Sequence, residues 1–209
     1  MPAKRIISCL DIKNGRTVKG TRFLELKDSG DPLELAIYYS DQGIDELVFL
    51  DISAGIEKRN LLYDLVKNIA KEISIPFTVG GGVRSLNDAY LLLASGADKI
   101  SVNSASVFNP HLIQELVNEF GSQCIIQAID VKRELDNFII YSSSGTKGES
   151  LNIIDFIKMV QDFGVGELLI TSIDFDGVRM GYDLELYQFL KNFIKVPLIA
   201  SGGAGEFSD

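Results

Sequence analysis

Two stretches of this chain repeat each other at a fixed separation, and that repeat restricts the fold more than any other feature. Gly43-Ile44-Asp45-Glu46-Leu47-Val48-Phe49-Leu50-Asp51 matches Gly164-Val165-Gly166-Glu167-Leu168-Leu169-Ile170-Thr171-Ser172 at an offset of 121. Ile75-Pro76-Phe77-Thr78-Val79-Gly80-Gly81-Gly82 matches Val196-Pro197-Leu198-Ile199-Ala200-Ser201-Gly202-Gly203 at the same offset of 121. A third pair, Asp11-Ile12-Lys13 and Asp130-Val131-Lys132, lies 119 apart, so a small insertion or deletion separates it from the others. Three pairs in one order describe a duplicated architecture. In each half the aspartate ends an apolar run, Ile6–Leu10 or Ile125–Ile129. A carboxylate where a buried strand emerges is unfavourable unless it is hydrogen-bonded, paired or used. Two of them, one per half, suggest a general acid and a general base across one pocket.

Short β-branched and aliphatic runs alternate with helix-length segments, the rhythm of parallel βα units. Strands are expected near 5–11, 47–52, 75–80, 98–103, 124–130, 167–172 and 196–201. Their near-continuous hydrophobicity suits parallel strands covered on both faces. Segment 137–142 reads as a short hairpin arm with the stretch near Val131, and the stretch around Lys19 as a long polar loop hinged at Gly15 and Gly20. Helices are expected at Pro32–Gln42 behind an Asp31 cap, Ser85–Ser95, Pro110–Phe120, Asn152–Phe163 and Tyr182–Phe193. Another, Asn60–Glu72, carries Leu61, Leu62, Leu65, Val66 and Ile69 at helical spacing. Gly96, Gly121 and Gly164 stand where a left-handed residue ends a helix.

Seven such strands with glycine-rich loops at their carboxyl ends predict an α/β fold, the (β/α)8 TIM barrel, normally about 250 residues long. The duplication makes it two half-barrel repeats in one domain, 1–121 and an incomplete 122–209. The 209 residues stop just after the seventh strand. A truncated product, an omitted tail or another chain supplying the missing quarter each fits that stop. A doubly wound sheet is the alternative, disfavoured by the half-length repeat.

The formal charge of -9 argues against a broad nucleic-acid surface. It leaves room for a phosphorylated metabolite, which backbone amides hold even in an acidic protein. No apolar run approaches the roughly 20 residues that cross a bilayer, and the first strand begins too early for a signal peptide. Cys9 and Cys124 lie in apolar runs and read as buried thiols, not a disulfide framework or metal site. His111, the single histidine, opens a helix after Asn109-Pro110 and reads as a solvated first-turn residue. These features favour a reducing, cytoplasmic setting.

The strings Cys9-Leu10-Asp11-Ile12-Lys13, Val18-Lys19-Gly20, Asp28-Ser29-Gly30-Asp31-Pro32, Gly80-Gly81-Gly82 and Thr171-Ser172-Ile173-Asp174 occur in order. With Asp45-Glu46-Leu47-Val48-Phe49-Leu50-Asp51-Ile52 they make the chain resemble, from Lys4 to Gly205, the cyclase subunits of imidazole glycerol phosphate synthase in histidine biosynthesis. The related sugar-phosphate isomerase of that pathway shares the half-barrel repeat and paired aspartates. Cys9-Leu10-Asp11 and Asp28-Ser29-Gly30-Asp31-Pro32 match the cyclase better.

The resemblance implies a carbon–nitrogen lyase and cyclase that receives ammonia from a glutamine amidotransferase (glutaminase) subunit, with no metal or organic cofactor. The implied substrate is the bisphosphorylated N'-[(5'-phosphoribulosyl)formimino]-5-aminoimidazole-4-carboxamide ribonucleotide. It yields imidazole glycerol phosphate and 5-aminoimidazole-4-carboxamide ribonucleotide. By resemblance Asp130 is the general acid and Asp11 the base in cyclisation; spacing assigns neither role. Gly81, Gly82, Asn103 and Ser104 are expected at one phosphate, and Asp176, Gly177, Gly202 and Gly203 at the other. Family members complete the second site after an eighth strand, and usually carry threonine where this chain has Val178.

Lys19 resembles the loop lysine that covers bound substrate, and Thr171, Ser201 and Asp51 are expected at the same mouth. Arg5, Glu46, Lys99 and Glu167 stand at strand beginnings, where two cations and two anions form structural ion pairs. In the resembling family the matching residues form the gate to an ammonia channel, and Asp98 is a contact for the glutaminase. A noncatalytic, shortened paralogue that serves as a glutaminase-binding scaffold is the alternative in a different class.

Overall fold

The computed structural model describes residues 4–52, 59–206 and 208–209, with residues 59–61 by their backbone. Contacts separate these into two compact units. The first holds the residues up to Lys19 together with Lys27–Ser101; the second holds Gly20–Leu26 and the residues from Val102 on.

The first unit begins with β1 (Ile7–Lys13), followed by β2 (Arg16–Thr21) and β3 (Leu24–Gly30), whose tip counts with the second unit. After it come α1 (Pro32–Asp41), β4 (Glu46–Asp51), α2 (Arg59–Glu72), β5 (Phe77–Gly80), α3 (Leu86–Ala94) and β6 (Lys99–Val102), whose last residue counts with the second unit. Helix α1 starts where expected because the Asp31 carboxylate accepts the amides of Leu33 and Glu34 ahead of Pro32. Ser85 caps α3 through the Asp88 amide, and Asp88 takes the amide of Arg84 in return. β1, β4, β5 and β6 run parallel in that order. Leu47, Phe49, Val79 and Ile100 on the strands, and Val66, Ile69 and Leu92 on the helices, form the buried core. The side chain of Leu61 lies outside the described residues.

The stretch around Lys19 is not a polar loop but a hairpin. β2 pairs antiparallel with the end of β1, Lys13 opposite Arg16 and Asp11 opposite Val18. The two-residue turn is Asn14-Gly15, with φ of 54° and 75°, the mirror-image turn whose twist matches a hairpin. Few residues here are apolar, so hydrophobic periodicity misses the strands; the Asn-Gly pair was the readable signal.

In the second unit α4 (Ser104–Phe108) and α5 (His111–Phe120) precede β7 (Ile125–Glu134), β8 (Asn137–Ser142), β9 (Lys147–Gly148), α6 (Ile153–Asp162), β10 (Glu167–Ser172), α7 (Leu184–Leu190) and β11 (Leu198–Ser201). β7, β10 and β11 are parallel. β8 pairs antiparallel with β7, Val131 opposite Ile140, which is the expected arm. α7 is shorter than the expected Tyr182–Phe193, because Asp183 caps it through the amide of Leu186.

The duplication extends to individual hydrogen bonds. Ile7 faces Glu46 and Ile126 faces Glu167; Leu47 faces Phe77 and Leu168 faces Leu198. The amide of Ile52 donates to Ile12 (2.9 Å) and that of Ile173 to Val131 (2.8 Å). Each unit therefore has the parallel βα build of the TIM-barrel class. Among the described residues no helix is long and apolar enough to cross a membrane.

Candidate active site

Neighbours in register on parallel strands present their side chains on one face of the sheet. In the second unit Asp130 stands opposite Thr171, and Thr171 opposite Ser201, so one rung near the carboxyl ends carries an acid and two hydroxyls. The equivalent rung of the first unit runs Asp11, Leu50, Gly80, Ser101.

The two carboxylates meet different surroundings. Asp130 is 8% exposed, and Asn103 donates from Nδ2 to its Oδ2 at 2.9 Å. The Oδ1 of Asn103 is buried and has no hydrogen-bond partner among the described residues, an acceptor open to a ligand N–H or a water. The side chain of Asp11 is 21% exposed, with Lys19 Nζ 4.0 Å from Oδ2. Lys19 therefore stands beside Asp11 from strand β2, not from a free loop.

Glycine loops follow the same rungs. Gly81 and Gly82 have φ of 94° and 67°, and Gly202 and Gly203 have 89° and 106°. A Cβ at Gly81 would lie 2.0 Å from the Asp51 carbonyl oxygen, and one at Gly202 would lie 2.5 Å from that of Ser172, its counterpart. These turns demand glycine, and the absence of a side chain lets a ligand approach the backbone closely, as a phosphate cradle requires. Ser104 opens α4, and its Oγ accepts the Ser143 amide at 2.9 Å, leaving the hydroxyl proton available. Asp176 is buried and its carbonyl accepts the Arg22 amide, while Arg22 Nε donates to the Asp174 carbonyl. A Cβ at Gly177 would meet the Gly20 carbonyl at 2.4 Å, so residues 20–22 pack tightly on the 174–177 turn.

At the strand beginnings Glu46, its side chain 2% exposed, collects both cations. Arg5 Nη1 lies 2.8 Å from Oε2, Lys99 Nζ 3.1 Å from both oxygens, and the Thr78 hydroxyl donates to Oε1 at 3.0 Å. Glu167 occupies the matching first position of β10. Asp98 is exposed but not idle, since its carboxylate accepts the Phe77 amide at 2.8 Å.

Sequence reasoning missed Thr78, Arg22, Asp174, Asp183 and Tyr187. Asp174 takes the Arg133 amide, Asp183 takes the buried Ser172 hydroxyl, and the Tyr187 hydroxyl meets Ile170 and Ser201. Thr78 was readable as a polar residue inside an apolar strand. Tyr187, an aromatic in an amphipathic helix, looks like any core residue.

Residues 5–209 match the family model described as "Histidine biosynthesis protein". The chain is 53% identical over 206 residues to the imidazole glycerol phosphate synthase subunit HisF of Sulfurisphaera tokodaii, covering 99% of this chain and 83% of that protein. The HisF subunit of a Hydrogenobaculum species is 53% identical over 99% of this chain and 82% of its own length. That of a Thermotoga species is 51% identical over 99% and 81%.

Proposed function

The chain belongs to the HisF family, the cyclase subunits of imidazole glycerol phosphate synthase, and from that premise we propose how its residues divide amination and ring closure. Ammonia adding to a carbonyl needs a proton delivered to the developing oxygen, and closing the imidazole needs protons removed. Asp130 serves as the acid and Asp11 as the base. The observation that carries this reading is their equal place on duplicated rungs, with different neighbours: an amide at Asp130, an ammonium at Asp11. Unequal environments are what allow two carboxyl groups to take opposite roles.

The bisphosphorylated substrate is held by Gly81, Gly82, Asn103 and Ser104 at one phosphate. Thr171, Asp176, Gly177, Ser201, Gly202 and Gly203 serve the other end. Lys19 covers it and helps exclude water. Ammonia comes from a cytoplasmic glutaminase partner that contacts Asp98, and it enters past Arg5, Glu46, Lys99 and Glu167. A protected passage suits a nucleophile that becomes ammonium in bulk water.

The test supplies ammonium salt and the bisphosphate, and measures imidazole glycerol phosphate. Asp11→Asn and Asp130→Asn should each lower turnover about 10²-fold or more with an unchanged circular dichroism spectrum. Near-normal turnover in both variants removes the mechanism. An unaltered chain that binds glutaminase but makes no product is a scaffold instead.

A further inference from the structure

The Ser201-Gly202-Gly203 loop is held from outside the sheet at both ends: the Gly181 amide donates to the Gly203 carbonyl at 3.0 Å, and one hydroxyl holds Ser201. Tyr187 on α7 reaches the end of the β10–β11 pair, where its phenol oxygen accepts the Ser201 amide at 3.0 Å. Its proton faces the carbonyls of Ile170 (2.9 Å) and Ser201 (3.0 Å). The register sets Ile170 opposite Ala200 and Thr171 opposite Ser201, so the phenol joins the two strands at their last rungs. Burial pushes the Tyr187 phenol far above its ordinary value, against the lowering effect of the Ser201 backbone contact, so the hydroxyl keeps its proton through the neutral range.

The same helix also fixes the other wall of the loop. Asp183 at its N-terminus accepts the Ser172 hydroxyl at 2.9 Å and the Leu186 amide at 3.1 Å. Ser172 is the residue whose carbonyl would lie 2.5 Å from a Cβ at Gly202. The left-handed path through Gly202 and Gly203 thus runs between two backbone points, Ser172 and Ser201, each tied to α7. The first unit solves the problem differently. The residue 121 positions before Tyr187 is Val66, fully buried and without a hydroxyl.

We infer that Tyr187 is a positioning residue for the second phosphate loop, setting the direction of the Gly202 and Gly203 amides through its bonds to Ser201. This rests on the reading that the loop binds phosphate, and predicts that the two loops respond differently to one hydroxyl. Loss of the phenol oxygen frees the Ser201 backbone and lets the amides diverge from one anion. The loop at Gly81 and Gly82 has no part in that contact.

The experiment titrates inorganic phosphate into the full chain and its Tyr187→Phe variant, following amide resonances of both loops. In the unaltered chain all four glycine amides should shift. In the variant the apparent affinity at Gly202 and Gly203 should fall fivefold or more, while that at Gly81 and Gly82 stays within 1.5-fold. Unchanged affinity at Gly202 and Gly203 in the variant overturns the role of Tyr187 and leaves the phosphate reading standing. Equal weakening at both loops also overturns it, as the mark of general destabilisation. No shift at Gly202 and Gly203 in the unaltered chain defeats the phosphate reading itself. A second measurement does not depend on the variant folding: hydrogen exchange at the Ser201 amide should be about 10²-fold slower than at Gly202. Equal rates there overturn the proposal.

Discussion

The rung that carries Asp11 continues through Leu50 and Gly80, whereas the rung that carries Asp130 continues through Thr171 and Ser201. Strand order, register and the hydrogen bonds that close each strand are the same. The side chains beside the acid are not. The repeat therefore fixes where a carboxylate emerges, and the residues that differ between the halves fix what it meets. The second rung is polar from Asp130 to Ser201, with an amide on its acid; the first has an apolar neighbour beside its acid and a cation from its hairpin.

The sharpest contrast lies at the ion pairs. Glu46 is nearly inaccessible and serves two cations and a hydroxyl, while the Arg133–Glu185 pair of the second unit is open to solvent. Removing one partner of a buried pair strands the others, so Glu46→Gln should destabilise by about 2–3 kcal/mol, discounted for the partial exposure of Arg5. Glu185→Gln should leave the urea midpoint nearly unchanged. Comparable losses in urea unfolding would erase the difference between the two.

Next come the neighbours of the two acids. A hydrogen bond to a charged group contributes about 1.5 kcal/mol or more, so Asn103→Ala should reduce ammonia-dependent turnover about tenfold. Lys19 is half-exposed and only marginally within reach of Asp11. Lys19→Met should therefore lower kcat about threefold or less, in the range of an exposed pair. A reversed order would mean that the hairpin cation, not the buried amide, dominates catalysis.

The smallest effect belongs to the hairpin itself. Arg16 binds both oxygens of Asp28, at 2.9 and 3.0 Å, and this bond is the main cause holding the Asp28 carboxyl below its ordinary value. The Arg16 guanidinium is shifted upward by the same bond. A carboxyl depressed in the folded state stabilises above its unfolded value, near pH 4, and loses that contribution as pH falls through the folded value. The difference in unfolding midpoint between the parent and Asp28→Asn should be small at pH 7, shrink in high salt, and fade as acidification protonates the folded carboxyl. A difference that grows on acidification would contradict the pairing.

Much of the fold was readable because it rests on local pattern. All seven parallel strands start within two residues of their expected places, since apolar runs between helix-length segments leave little choice, although β7 runs on to Glu134 where its arm pairs with it. Asp31, Ser85 and Asn152 cap their helices as side chains that compete well for free amides. The β2 strand was hidden because Thr17 and Val18 become buried only when β2 pairs with the edge of β1 that faces away from β4. For the site, Asp11, Asp130, Asn103 and the glycine turns stood out by type and repeat. Tyr187 and Asp183 did not, because their partners are backbone atoms or a serine more than ten residues away.

Residue order alone establishes a twofold series of parallel βα units with an acid at the same step of each, since periodicity and offset survive without coordinates. Which amide, ammonium or hydroxyl stands beside each acid is a matter of packing. Those contacts join positions as far apart as Asn103 and Asp130, or Glu46 and Lys99, and a linear pattern carries no record of distances that arise only when strands come into register.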